Sequence, residues 1–141
     1  MNLLNDRDVL HRLLKAHGSH SLAYATLQPG MGYWGDPNMG YVAFRRSVGR
    51  HVFLGDPVCA PEALSAFLAA VVGAFPGCLF MQINEATASA LRNLGHYVTP
   101  VGVENDIDTA TFSLSGKKKA DLRHYKNRAQ AGGVSVAEAQ D

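Results

Sequence analysis

The sequence predicts an α/β domain built on a mixed sheet, and three observations carry that reading. Apolar residues alternate with period two in several short stretches, as half-buried strands require, and recur at i, i+3, i+4 and i+7 in others, as amphipathic helices require. Gly and Pro mark the joints between these stretches. In chain order the elements read helix, three strands, helix, strand, helix, strands, which suits helices packed against one sheet.

Asn5 is expected to cap the first helix, with Asp6 and Asp8 in its first turn. Val9, Leu10, Leu13 and Leu14 form its apolar stripe, Lys15 and His17 lie near its negative end, and Gly18 stops it. A strand is expected over Leu22 to Leu27. Four glycines and two prolines between Gln28 and Gly40 signal turns and a mobile backbone. Tyr33 and Trp34 in that stretch either cover the sheet edge or roof a substrate cleft. Tyr41 to Arg46 and Arg50 to Leu54 read as a hairpin around Ser47-Val48-Gly49, and Gly55-Asp56-Pro57 ends its second strand.

Pro61 falls at a helix N1 position, and Leu64, Phe67, Leu68, Val71, Val72 and Phe75 follow at helical spacing. Cys78 to Ile83 is apolar throughout, as expected of a central strand buried on both faces. Asn84 caps a short helix with Ala88, Leu91 and Leu94 inward and Gly95 as its stop. His96 to Val103 reads as an edge strand because of Pro100, and Ile107 to Leu114 as a returning strand. Gly116 breaks that pattern. Lys117 to Gln130, free of Gly and Pro, reads as a helix whose Leu122, Tyr125 and Ala129 should dock on a sheet. Gly132 and Gly133 end it, and Val134 and Val136 begin another strand that should leave an exposed edge.

Composition narrows the function classes. The chain has 141 residues, 47% apolar and 18% charged, which excludes disorder and allows one real core. Residues 117–128 hold six Lys/Arg and one Asp, a local charge of +5 in a chain whose total is +1. That balance argues against wholesale nucleic-acid binding, DNA included, but not against a local basic site. Cys59 and Cys78 lack the spacing of a zinc site and read as buried free thiols. His11, His17 and His20 read as surface or capping histidines rather than ligands, so no metal is expected. The N-terminus lacks a signal-peptide pattern. Ala66 to Phe75, the longest apolar run, is about half of the roughly 20 residues that span a bilayer, so no transmembrane segment is expected.

The run Phe112-x-Leu114-x-Gly116-Lys117-Lys118, then Leu122-Arg123, Asn127-Arg128 and Gly133-Val134, resembles the soluble catalytic region of bacterial phosphatidylglycerol lysyltransferases and their relatives. Leu54-Gly55-Asp56-Pro57-Val58, Leu94-Gly95 and Val101-Gly102-Val103-Glu104 fit the same family in the same order, and the resemblance covers residues 21–136. It implies a tandem of GNAT-like domains, each a mixed, largely antiparallel sheet with helices on both faces. Residues 1–116 would be the first such domain, and residues 117–141 the linking basic helix and first strand of a second domain lying beyond this chain. The aminoacyl and lipid sites would then lie mostly in that second domain and the crevice it makes.

The resemblance further implies an aminoacyl or related acyl transferase, moving its group from aminoacyl-tRNA to a lipid or other acceptor, with this chain holding half of the catalytic unit. The cell site it implies is cytoplasmic, peripheral to the inner face of the membrane. A non-catalytic docking or dimerisation module of the same fold is the alternative. No cofactor is expected. An acetyl-CoA enzyme needs a donor-rich turn for pyrophosphate, whereas GDPVCAPE after Leu54 places Asp56 there and loses two N–H groups at Pro57 and Pro61.

Catalytic residues are not legible. Glu104, Asp106 and Asp108 are general-base candidates, with solvated turn acids the commoner use of such residues. Lys119, Arg123 and Lys126, at i, i+4 and i+7, form a basic stripe suited to tRNA phosphates or anionic headgroups. A solvated face, or a stripe paired with the acidic remainder, is the other reading. The family-motif positions are Gly55, Asp56, Pro57, Glu104, Phe112, Gly116, Lys117, Lys118, Arg123, Asn127 and Arg128.

Overall fold

The computed structural model describes residues 1–105 and 107–137. The chain divides into two compact units, Met1–Val101 and Gly102–Asp141.

The first unit is an open six-stranded sheet in the order β1-β2-β3-β4-β6, with β5 paired to β3. Its strands are β1 (Asn2–Leu3), β2 (Gly32–Asp36), β3 (Gly40–Ser47), β4 (Arg50–Leu54), β5 (Val58–Cys59) and β6 (Leu79–Met81). All pairings are antiparallel except β4 with β6. Helices cover both faces. From α1 (Arg7–His17), Leu10 and Leu13 pack on Tyr33, Tyr41, Ala43 and Val58. From α2 (Leu64–Ala74), Phe67 and Val71 pack on Trp34, Val42, Phe44 and Phe53, which project from the opposite face. Leu68 carries α2 onto Ala90 and Leu91 of α3 (Glu85–Asn93). Each such side chain, fully buried, contributes about 1.5–3 kcal/mol.

The predicted hairpin is present, with Phe44 opposite Phe53 and Ser47 opposite Arg50. Asn84 caps α3, its side chain accepting the Thr87 N–H at 3.0 Å. Both α3 and α4 (Ala120–Ala131) end in Schellman motifs, with Gly95 and Gly133 at φ +83. The His96 N–H returns to Leu91 O and the Val134 N–H to Ala129 O, each at 3.0 Å.

Several expectations are overturned. The N-cap of α1 is Asp6, one residue past Asn5, and its Oδ1 accepts the Asp8 and Val9 N–H groups. Tyr24–Leu27 is a 3-10 helix rather than a strand. Its buried residues, Thr26 and Leu27, with the buried N-cap Ala23, follow a helical spacing that alternation would not give, and the buried Thr26 and Tyr41 hydroxyls bond at 2.8 Å. The segment read as a glycine-rich loop contains β2, so Tyr33 and Trp34 are core residues and roof no cleft. Its glycines serve close approach: a Cβ on Gly35 would lie 2.1 Å from Gly40 O, and one on Gly32 2.8 Å from the Phe44 ring.

The expected central strand is the short β6 at the sheet edge, with Leu79 and Met81 50% and 55% exposed. Only its Phe80 face is covered, by ring stacking on Phe53 at 4.9 Å. Leu94, expected inward, is exposed at the C-cap of α3.

No strand forms at 96–105, where the first unit ends and the second begins, nor at 107–115 or 134–137. The Val134 N–H that a strand would offer is taken by the helix end. The predicted helix is present as a 3-10 turn, Lys117–Lys119, running into α4. Leu122 and Tyr125, expected to be covered, are 49% and 64% exposed.

Candidate polyanion-binding site

The basic segment folds around its own start. Gly116, at φ +92, lets the chain reverse from the Phe112–Ser115 stretch into the Lys117–Lys119 turn. Arg123 then reaches back, one guanidinium nitrogen donating to Leu114 O at 2.6 Å and to Gly116 O at 2.7 Å. Lys119 donates to Ser113 O at 2.5 Å, and its ammonium lies 4.3 Å from the centroid of the Phe112 ring. The Ser113 hydroxyl accepts from the Ser115 N–H and donates to the Ser115 hydroxyl, closing the turn. The spacing F-x-L-x-G-K-K…L-R thus has a physical account: it is a helix clamped onto the residues that precede it.

That clamp divides the predicted stripe. Lys119 and Arg123 are engaged with main-chain carbonyls, whereas Lys126 has no hydrogen bond or ion pair among the described residues. Lys117, Lys118 and Arg128 are equally free there and exposed. Lys119, the N-cap of α4, provides no side-chain acceptor for the helix N–H groups. Lysine ammoniums therefore gather at the helix end whose dipole is positive, an arrangement that attracts anions, while the Lys119 and Ala120 N–H groups bond Gly116 O and Lys117 O. Asp121 is the one opposing charge in the first turn. Asn127 is exposed on the same helix.

The other family-motif positions serve structure. Gly55, at φ +69, turns the chain out of β4, and its N–H donates to Met81 O at 2.9 Å. Asp56 is buried, its carboxylate accepting the Asn84 N–H at 2.9 Å where α3 begins. The brace joins the ends of the two parallel strands and puts a carboxylate where a pyrophosphate would need donors. Pro57 is buried beside it. The His20 ring lies against Gly55, where a Cβ would come within 2.7 Å of it, and its Nε2 is buried without a hydrogen-bond partner among the described residues.

Among the acids, Asp108 is exposed and tied into its own turn by the Thr111 hydroxyl at 2.7 Å and the Ala110 N–H at 3.0 Å. Those bonds, the hydroxyl first, hold its carboxyl below the usual carboxylate range, which makes it a weak base. Glu104 is exposed, and Asp106 lies outside the described residues. Burial pushes the free Cys59 thiol up to about 11 and the Cys78 thiol up as well, the opposite of an activated nucleophile. No three His, Cys, Asp or Glu side chains among the described residues could hold a metal ion.

The sequence reading takes the tip of the β3–β4 hairpin as a turn and assigns it no function. There Arg45 and Arg46 near the end of β3 and Arg50 at the start of β4 flank the turn, and an open groove of about 410 Å³ is lined by Gly30, Gly32, Phe44, Arg45 and Arg46. The absence of any Asp or Glu between Asp36 and Asp56 was the available signal.

An open, mostly antiparallel sheet with helices on both faces places the chain in the GNAT-like fold class. It belongs to the phosphatidylglycerol lysyltransferase C-terminal family, whose model matches residues 11–141. An uncharacterised protein of Corynebacterium glutamicum is 30% identical over 138 residues, which is 92% of this chain and 17% of that protein. A phosphatidylglycerol lysyltransferase of Bacillus subtilis is 29% identical over 134 residues, 87% of this chain and 15% of that protein. The solved structure of L-PGS from Bacillus licheniformis superposes with a TM-score of 0.72 at 25% identity, over 93% of this chain and 42% of that one. The chain therefore spans about a sixth of the length of the curated relatives it matches. No helix among the described residues is long and apolar enough to cross a membrane.

Proposed function

We propose that this chain is part of a GNAT-like transferase that moves an aminoacyl group from aminoacyl-tRNA to a lipid, with α4 and the turn before it meeting the tRNA phosphates. Residues 117–137 lead, on this reading, toward a second domain that completes the reaction centre. The observation that carries the proposal is the display of Lys117, Lys118, Lys126 and Arg128, unpaired among the described residues, on a helix that Lys119 and Arg123 clamp in place. A helix that needed its cations only for its own stability would pair more of them. Family membership and the lysyltransferase relative support the choice of substrate class.

The test is tRNA binding by fluorescence anisotropy across a salt series. Replacing Lys117, Lys118, Lys126 and Arg128 together by Gln should weaken binding and flatten the salt dependence by up to about one unit of slope per lost phosphate contact. Helix content should stay unchanged, since none of the four is tied to the backbone. Binding that survives the quadruple change sinks the assignment of α4.

A docking or dimerisation module of the same fold is the second reading, favoured by one observation, the half-exposed Leu79 and Met81 of β6. Concentration-dependent sedimentation that Met81→Lys abolishes, with no tRNA affinity, would establish it instead.

A further inference from the structure

The turn between β3 and β4 has two residues, Val48 and Gly49, with φ of +48 and +74. Positive φ at both positions is the type I′ arrangement, which favours Asn-Gly because a β-branched residue is strained there. Val48 is also 99% exposed. Neither backbone conformation nor hydration rewards a valine at this point, and strain held at an exposed apolar tip suggests a role outside the folded chain. Around the tip the charge has one sign. Arg45 and Arg46 close β3, Arg50 opens β4 opposite Ser47, and no acid occurs between Asp36 and Asp56. Arg45 and Arg50 each place one nitrogen on a carbonyl, Pro29 O at 2.6 Å and Gly77 O at 2.9 Å, which fixes their direction and leaves further donors free. Arg46 has no hydrogen bond or ion pair among the described residues.

We propose that the β3–β4 hairpin seats this chain on an anionic phospholipid surface, with Val48 entering the boundary between headgroups and acyl chains and Arg45, Arg46 and Arg50 meeting lipid phosphates. A phosphate-bearing partner without an apolar interior, such as RNA, would use the arginines but give Val48 nothing to bury, so the bilayer accounts for more of the tip. The choice of a membrane rests on the lipid acceptor proposed above, while the hairpin is separate from α4 and its test needs no transfer activity.

The experiment is cosedimentation of the full chain with vesicles of phosphatidylglycerol and phosphatidylcholine, or of phosphatidylcholine alone, with thermal melting of every variant. Binding should require phosphatidylglycerol and weaken with salt. Replacing Arg45, Arg46 and Arg50 by Gln should weaken it by about fivefold per residue. Arg46→Gln alone keeps both carbonyl ties and should show its share without any loss of stability. Val48→Asn is the decisive variant. It installs the residue the turn prefers, so the melting temperature should rise while vesicle binding falls about tenfold. A higher melting temperature with unchanged vesicle binding overturns the proposal, as does a wild-type chain that ignores phosphatidylglycerol. Arginine variants that lose tRNA but not vesicles assign the hairpin to RNA and overturn it as well. Vesicle binding lost only when Lys117, Lys118, Lys126 and Arg128 are replaced would overturn it too, whereas loss of tRNA binding in those variants bears on α4 and the turn before it alone.

Discussion

The two units of this chain are held together by different forces. Met1–Val101 buries Leu10, Tyr41, Phe53, Phe67, Leu68 and Val71 almost completely, on both faces of one sheet. From Gly102 onward no described residue is buried, and the organised part is a helix tied by side-chain donors to carbonyls at 113, 114 and 116. Burial of apolar surface is cooperative across many elements, so the first unit should resist local change and fail as a whole. Exposed polar ties contribute about 0.5–1.5 kcal/mol each and act only on the residues they join. The second unit should therefore loosen piecemeal, and the two kinds of damage should be separable by experiment.

The largest effect expected is in the first core. Phe67 is fully buried, edge-on to Trp34 with ring centroids 6.2 Å apart. Phe67→Ala removes its contacts and leaves a cavity between α2 and the sheet, at a cost of about 3–5 kcal/mol. Thermal denaturation followed by Trp34 fluorescence should show a much lower midpoint. An unchanged midpoint would mean that this sheet is not the cooperative unit.

A smaller effect, set by pH, belongs to the same core. Burial, with Glu62 as a lesser cause, raises the Cys59 thiol from 9.0 to about 11. An acid whose folded pKa is raised contributes stability that is fully present below the unfolded value and is lost as pH climbs through the folded one. Stability should thus decline between about pH 9 and pH 11, by on the order of 2 kcal/mol. Comparing melting temperatures of the wild type and Cys59→Ala across that window checks it: the alanine variant should lack this part of the decline. Parallel curves would mean that the thiol is not shielded as the packing requires.

The same contrast explains what the sequence disclosed. Helices α1, α2 and α3 and the β3–β4 hairpin were legible because apolar periodicity, caps and turn residues all agreed there. β2 was not, since Gly32 and Gly35 imitate loop composition while serving close packing against Phe44 and Gly40. β6 was misjudged because an apolar run does not disclose that only one of its faces is covered. In the second unit, alternation at Phe112–Ser115 suggested a strand, but hydrogen bonding from Arg123 and Lys119 decides the conformation, and no period records a tie across nine residues. The family motif names Arg123 without disclosing that its side chain reaches back to main-chain carbonyls. Arg45, Arg46 and Arg50 stand within three residues of Val48 in the sequence, but the stretch read only as a hairpin, and the positive φ and exposure of Val48 are legible only in the structure.

Arg123→Ala tests the contrast most finely and should have the smallest effect on the whole chain. The change frees Leu114 O and Gly116 O, both of which accept from the same guanidinium nitrogen. Because these carbonyls lie near solvent, water replaces the lost donor at once, and the cost should be about 1 kcal/mol rather than that of an orphaned buried group. Lys119 still holds Ser113 O, so the turn should loosen without releasing the helix altogether. Hydrogen exchange should therefore quicken severalfold at amides from Ala120 to Ala131, while the melting midpoint reported by Trp34 stays where it was. Lys126→Gln, which removes a cation with no described tie, should leave both readouts unchanged and serves as the control. If Arg123→Ala instead lowers the main transition by as much as a core substitution, the polar clamp belongs to the cooperative core, and the division between a buried unit and a tied one does not hold.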